Sequence, residues 1–155
     1  MKTNFAYLFP LLSLFSAARA NFDIYEVAIS NSLTPPLYGW VITDAEPSCD
    51  EVKNAELRAD KDDVSGNKKG FRCKGDCSET GYPSDITELE MNLGAYHFTL
   101  YSDRNWDLDT TKGESQGHCY PFPDAEKKCR DGVGEILAFR KFRCDHTDYT
   151  ASTFQ

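Results

Sequence analysis

The residues best placed to do acid–base chemistry are Glu88, Glu90, His97 and Arg104. General acid–base catalysis needs an imidazole or carboxylates converging on one substrate. Between residues 86 and 93, Leu89, Met91 and Leu93 alternate with Glu88, Glu90 and Asn92. That period of two gives a strand one apolar and one polar face. Gly94-Ala95 can turn the chain, and Tyr96, Phe98 and Leu100 then alternate with His97, Thr99 and Tyr101. A short turn between two alternating runs predicts a β-hairpin. If the two strands pair, a carboxylate and the His97 imidazole become cross-strand neighbours, with Arg104 close behind.

Glu, His and Arg on a sheet resemble the residue set of small secreted ribonucleases, and the resemblance implies hydrolysis of RNA. Any half-solvated antiparallel sheet shows the same alternation, and that plainer outcome is the one we expect. Nothing else offers a catalytic pattern: there is no Gly-x-Ser-x-Gly elbow and no His-Glu-x-x-His zinc helix. His118 and His146 read as surface histidines. The expectation is a non-enzymatic protein, with a ribonuclease-like hydrolase as the alternative.

The start of the chain reads as a secretory leader. Lys2 supplies the positive end, Leu8 to Leu14 the apolar centre, and Ala18-Arg19-Ala20 the small-x-small cleavage pattern. We expect residues 1–20 to be removed and residues 21–155 to form one secreted domain, a usual domain size. The apolar centre is far shorter than the ~20 residues a bilayer requires. Lys2 and Arg19 leave with the leader and no acid does, so 15 basic and 25 acidic residues remain, a net charge of −10. Such a surface disfavours general binding to nucleic-acid backbones, which need Lys and Arg to replace counterions.

Cys49, Cys73, Cys77, Cys119, Cys129 and Cys144 all lie in the expected mature part. An even number in a secreted chain predicts three disulfides, in one of 15 pairings. We expect Cys119–Cys129, closing a short loop around Pro121-Phe122-Pro123. Cys73-x3-Cys77 has a tolerable zinc spacing, but no second close Cys or His pair completes a site. Asp60, Asp62 and Asp63 cluster, yet Val64 stands where an EF-hand needs a ligand and no Glu closes the loop. A solvated turn is expected there, and no metal or cofactor. No Asn-x-Ser/Thr sequon is present.

Further strands are predicted over residues 22–27, 38–42 and 136–144. In the last, Ala138, Arg140, Phe142 and Cys144 should face one way and Leu137, Phe139, Lys141 and Arg143 the other. Ser48 can cap a helical turn over residues 49–54, with Glu51 completing a capping box. Trp40 lies in an apolar run and should join the core, whereas Trp106 should be more exposed. Phe-Arg-Cys occurs at residues 71–73 and 142–144, too short to be a repeat. The fold class expected is mainly β, a small disulfide-stapled antiparallel sandwich or barrel with a few short helical turns.

Residues 98–106, with Tyr101 and Trp106 five apart, resemble the opening strand of a βγ-crystallin Greek-key motif. Leu108 stands where that family places Gly, and its calcium motif is not evident. The resemblance implies a Greek-key β fold and an extracellular structural or defensive role. The leader, the short acidic chain, the six cysteines and the Tyr/Trp-rich β pattern together resemble small secreted cysteine-rich proteins of filamentous fungi, many treated as candidate effectors. That likeness implies an effector-like or toxin-like binding protein acting outside the producing cell, on an extracellular or host macromolecule.

Overall fold

The computed structural model describes residues 20–132 and 134–155. The expected leader lies outside the described residues except for Ala20, whose backbone opens the first strand opposite Thr147. The strands are β1 (Ala20–Asn31), β2 (Leu37–Thr43), β3 (Arg58–Ala59), β4 (Gly70–Gly75), β5 (Ile86–Asn92), β6 (His97–Tyr101), β7 (Asp107–Thr110), β8 (Ser115–Pro121), β9 (Glu126–Asp131) and β10 (Gly134–Thr147). They form a single antiparallel sheet ordered β3-β2-β1-β10-β8-β7-β6-β5-β4, with β9 continuing along β10 beyond the end of β8. The sheet curls into a nearly closed barrel. A bridge between Asp60 and Phe71 joins its two edges, and Trp40 stacks on Phe71 across that seam at 5.4 Å. Gly39 permits β3 to cross there, since a Cβ would meet the Arg58 carbonyl at 2.7 Å.

Alternation fills the barrel. Leu89 and Met91 from β5, Phe98 and Leu100 from β6, and Phe22 and Ile24 from β1 all point inward, as does Trp40. A smaller apolar cluster lies on the outer face of β1, β2, β10 and β9, where Tyr25, Val27, Val41, Ala138 and Cys129 pack against Val52 of α1 (Cys49–Asn54). Helix α1 forms where Ser48 can cap it: the hydroxyl accepts from Glu51 N, and the Glu51 carboxylate accepts from Ser48 N at 2.7 Å. Trp106 is half-buried against Phe142, with ring centroids 4.9 Å apart, while Trp40 is sealed from solvent. Val64 is also fully buried, and Asn92 donates to its carbonyl and to that of Gly66. The 60–69 segment is therefore anchored to the body rather than simply solvated.

Two expectations are corrected. The disulfides are Cys49–Cys129, Cys73–Cys77 and Cys119–Cys144, so Cys119–Cys129 does not form. Cys119 on β8 sits directly opposite Cys144 on β10, inside the barrel, whereas Cys129 on β9 belongs to the outer cluster facing α1. Nearness in sequence misled because the 121–126 segment carries the chain from one core to the other. The regular alternation expected of the last strand also breaks. Ile24 opposes Phe142 but Tyr25 opposes Arg140, so Lys141 is the extra residue of a β-bulge. Ala138 consequently faces the outer cluster, Phe142 faces the barrel, and Lys141 turns inward, 1% exposed.

Both barrel ends are plugged. At one, the C-terminal turn Ala151–Phe154 packs Phe154 against Phe22, Tyr96 and Tyr149. At the other, residues 78–81 cross the opening, and Lys141 Nζ donates to the carbonyls of Ser78, Glu79 and Gly81 at 2.6, 3.1 and 2.9 Å.

Candidate functional site

The β5–β6 hairpin does bring Glu88, Glu90 and His97 to one face, the outside of the barrel. Glu90 opposes Thr99, and His97 Nε2 lies 2.7 Å from Glu90 Oε1. Their cationic partner is Arg72 on β4, directly opposite Glu90. Arg72 Nε donates to Glu90 Oε2 at 2.7 Å and Nη2 to Glu88 Oε1 at 2.6 Å, while Lys74 Nζ bonds the other Glu88 oxygen at 2.8 Å. Arg104 stands apart, its guanidinium over the Tyr101 ring at 4.3 Å and 3.5 Å from Asp109. The sequence reading missed Arg72. Its signal was the alternation of Phe71, Arg72 and Cys73, which puts Arg72 on the polar face once β4 pairs with β5.

Electrostatically this face is self-neutralised. Burial pushes the Glu90 carboxyl up, but hydrogen bonds from Arg72 and His97 outweigh it and hold the carboxyl below its ordinary range. A carboxylate so engaged is a poor base. The second histidine is remote. Thr99 opposes Asp109, and Asp107 opposes His118, which lies 3.2 Å from it. His97 and His118 are thus four residues apart along the sheet and two strands across, about 16 Å. One phosphodiester cannot use both as acid and base. Of the cluster's side chains, the neighbouring cavities, about 340 and 300 Å³, reach Arg72 and Lys74 in one case and His97 in the other, and neither includes Glu88 or Glu90. The His146 side chain lies outside the described residues.

A different surface is built at the far ends of β9, β10, β1 and β2, which overhang the 78–81 plug. Pairing sets two rows on the barrel-side face. One is Glu126–Phe139–Glu26–Trp40; the next, toward the hairpin tip, is Lys128–Leu137–Ala28–Tyr38. Of the four strongly exposed large apolar side chains among the described residues, Leu33, Leu37 and Tyr38 are 84%, 56% and 48% exposed on the β1–β2 hairpin, and Tyr82 is 70% exposed beside the plug. The hairpin loop is not loose: the Asn31 carboxamide oxygen accepts from the backbone N–H of both Leu33 and Thr34 at 2.8 Å.

Where the overhang meets the plug, a cavity of about 490 Å³ opens between residues 79–83 and 123–126, floored by Phe139. A buried ionic cluster holds its second wall. Asp23, fully buried, accepts from Arg143 Nε and Nη2 at 2.6 and 2.7 Å and from Arg140 Nη1 at 3.2 Å. Arg140 in turn donates to the carbonyls of Phe122 and Pro123 and lies over the Phe122 ring at 4.0 Å. This cluster leaves no local signature, because Asp23 and Arg140 are 117 residues apart.

No protein-family model matches the chain, and no curated protein or solved structure matches it.

Proposed function

We propose that the protein is a secreted, non-enzymatic binding protein, effector-like or toxin-like, that engages an extracellular macromolecule through the overhanging end of its sheet. One observation carries this reading: large exposed apolar side chains gather at that end, while the carboxylates beside His97 are held in ion pairs. Exposed apolar groups clustered in this way mark interaction surfaces. Three disulfides and the absence, among the described residues, of any helix long and apolar enough to cross a membrane are compatible with secretion. The class likeness to secreted cysteine-rich fungal proteins points the same way.

The test compares the two faces in one preparation. Purified protein incubated with RNA should leave it intact. On the cells or matrix it targets, Leu33→Ser/Leu37→Ser/Tyr38→Ser should abolish retention, and Glu90→Gln should not. RNA cleavage that vanishes in a folded His97→Ala variant would overturn this reading in favour of the ribonuclease-like one.

A further inference from the structure

We propose that the cavity between residues 79–83 and 123–126 seats a basic side chain, lysine or arginine, of the partner protein. The inference rests on the binding reading above and names the chemistry of what is bound.

The cavity joins an apolar floor to an unsatisfied acidic rim. Phe139, Pro83 and Pro123 supply the floor, and Tyr82 rises from the edge with its ring largely in solvent. Glu79, Asp124 and Glu126 line the same space, and none has an ion-pair partner among the described residues. The two cations in the walls are already committed. Arg140 is spent on Asp23 and two carbonyls; Lys141 on three carbonyls and the neighbouring Glu26. An incoming anion therefore meets three free carboxylates and no free ammonium or guanidinium.

An incoming lysine or arginine meets the converse. Its methylene stem can lie on Phe139 and the prolines while its head reaches the carboxylates, as long basic side chains do. Tyr82 stands where its ring can face the cation. The whole-chain charge of −8 adds long-range attraction for a basic partner. Leu137, Ala28 and Tyr38 form the next row of the same face. A partner segment with a basic residue followed by apolar ones would cover both.

The probe is acetylated tetra-arginine, with tetra-glutamate as control, titrated into the ¹⁵N-labelled protein with its disulfides intact. Tetra-arginine should give saturable amide shifts at Gly81, Tyr82, Ala125 and Phe139, and tetra-glutamate none. Glu79→Gln/Asp124→Asn/Glu126→Gln should weaken binding about tenfold, since each removes one solvent-screened charge from the rim. Asp124 has φ 75°, a conformation Asn also adopts readily, so that variant should fold. Glu79→Gln alone, a loop change, gives an independent reading and should weaken binding two- to threefold. Absence of saturable shifts at these amides, or unchanged affinity in both variants, would overturn the proposal. Failure here leaves hairpin-dependent retention on target cells intact. RNA cleavage dependent on His97 would remove the binding reading while cation affinity at the cavity stayed measurable, so the two failures are distinguishable.

Discussion

Lys141 Nζ lies 3.3 Å from Glu26 Oε2, and the two side chains are 1% and 8% exposed. That carboxylate oxygen has no well-aligned hydrogen bond, so the attraction is mainly between charges. Removing one partner of a buried pair strands the other. Lys141→Met should destabilise the protein by ~3–5 kcal/mol in urea titrations, because it strands Glu26 and three loop carbonyls together. Lys141→Met/Glu26→Leu should recover part of that loss. A Lys141→Met variant within ~1 kcal/mol of wild type would mean that the plug is held by other contacts.

Burial raises the Glu26 carboxyl to about 7, with Lys141 opposing the rise. The folded state therefore holds this proton more tightly than the unfolded chain does. Its contribution to stability is complete below the ordinary carboxylate range, near pH 4.5, and is lost as pH climbs through 7. Between those values stability should increase on acidification, by on the order of 3 kcal/mol from this group. Glu90 runs the other way, since its lowered carboxyl favours folding until acid protonates it below that window. Thermal melts at pH 5 and pH 7.5 should show the acid advantage in wild type and a smaller one in Glu26→Gln.

The half-exposed hairpin predicts an asymmetric response to mutation. Phe98 points into the barrel core and Thr99 onto the outer face beside Glu90. Phe98→Ala should cost ~3–5 kcal/mol and Thr99→Ala ~0.5 kcal/mol or less. Equal losses in denaturant titrations would show that both faces are packed.

The barrel was legible in the sequence wherever alternation was local. Leu89, Met91, Phe98 and Leu100 announced their face, and the Ser48–Glu51 capping box announced α1. What stayed hidden depends on partners far along the chain. A bulge at Lys141 leaves no mark in alternation, because its cause is the register against β1. Arg72 joined Glu90 only through strand pairing across 18 residues, which displaced Arg104 from the role its proximity suggested. The cavity could not be read at all, since its two walls meet only after the barrel closes.

The disulfides should differ in worth. Cys73–Cys77 spans a separation of 4 residues and Cys49–Cys129 one of 80. On chain-entropy grounds their removal as paired Ala variants should cost about 2 and about 4.5 kcal/mol. Peptide mapping under non-reducing conditions should show these two links and Cys119–Cys144; a Cys119–Cys129 peptide would contradict the fold.

Strand β10 lies between β1 on one side and β8 with β9 on the other, so the first and last strands of the barrel are neighbours. During synthesis β1 has no partner for its β10-side edge until residues 134–147 emerge. Until then β1 can pair only with β2, and Phe22 and Ile24 lack the Phe142 side of their core. Folding is consequently governed by a late, long-range closure, which loop entropy makes slow. Chains released short of β10 should present an open, apolar edge, the form most prone to aggregate and most in need of a chaperone.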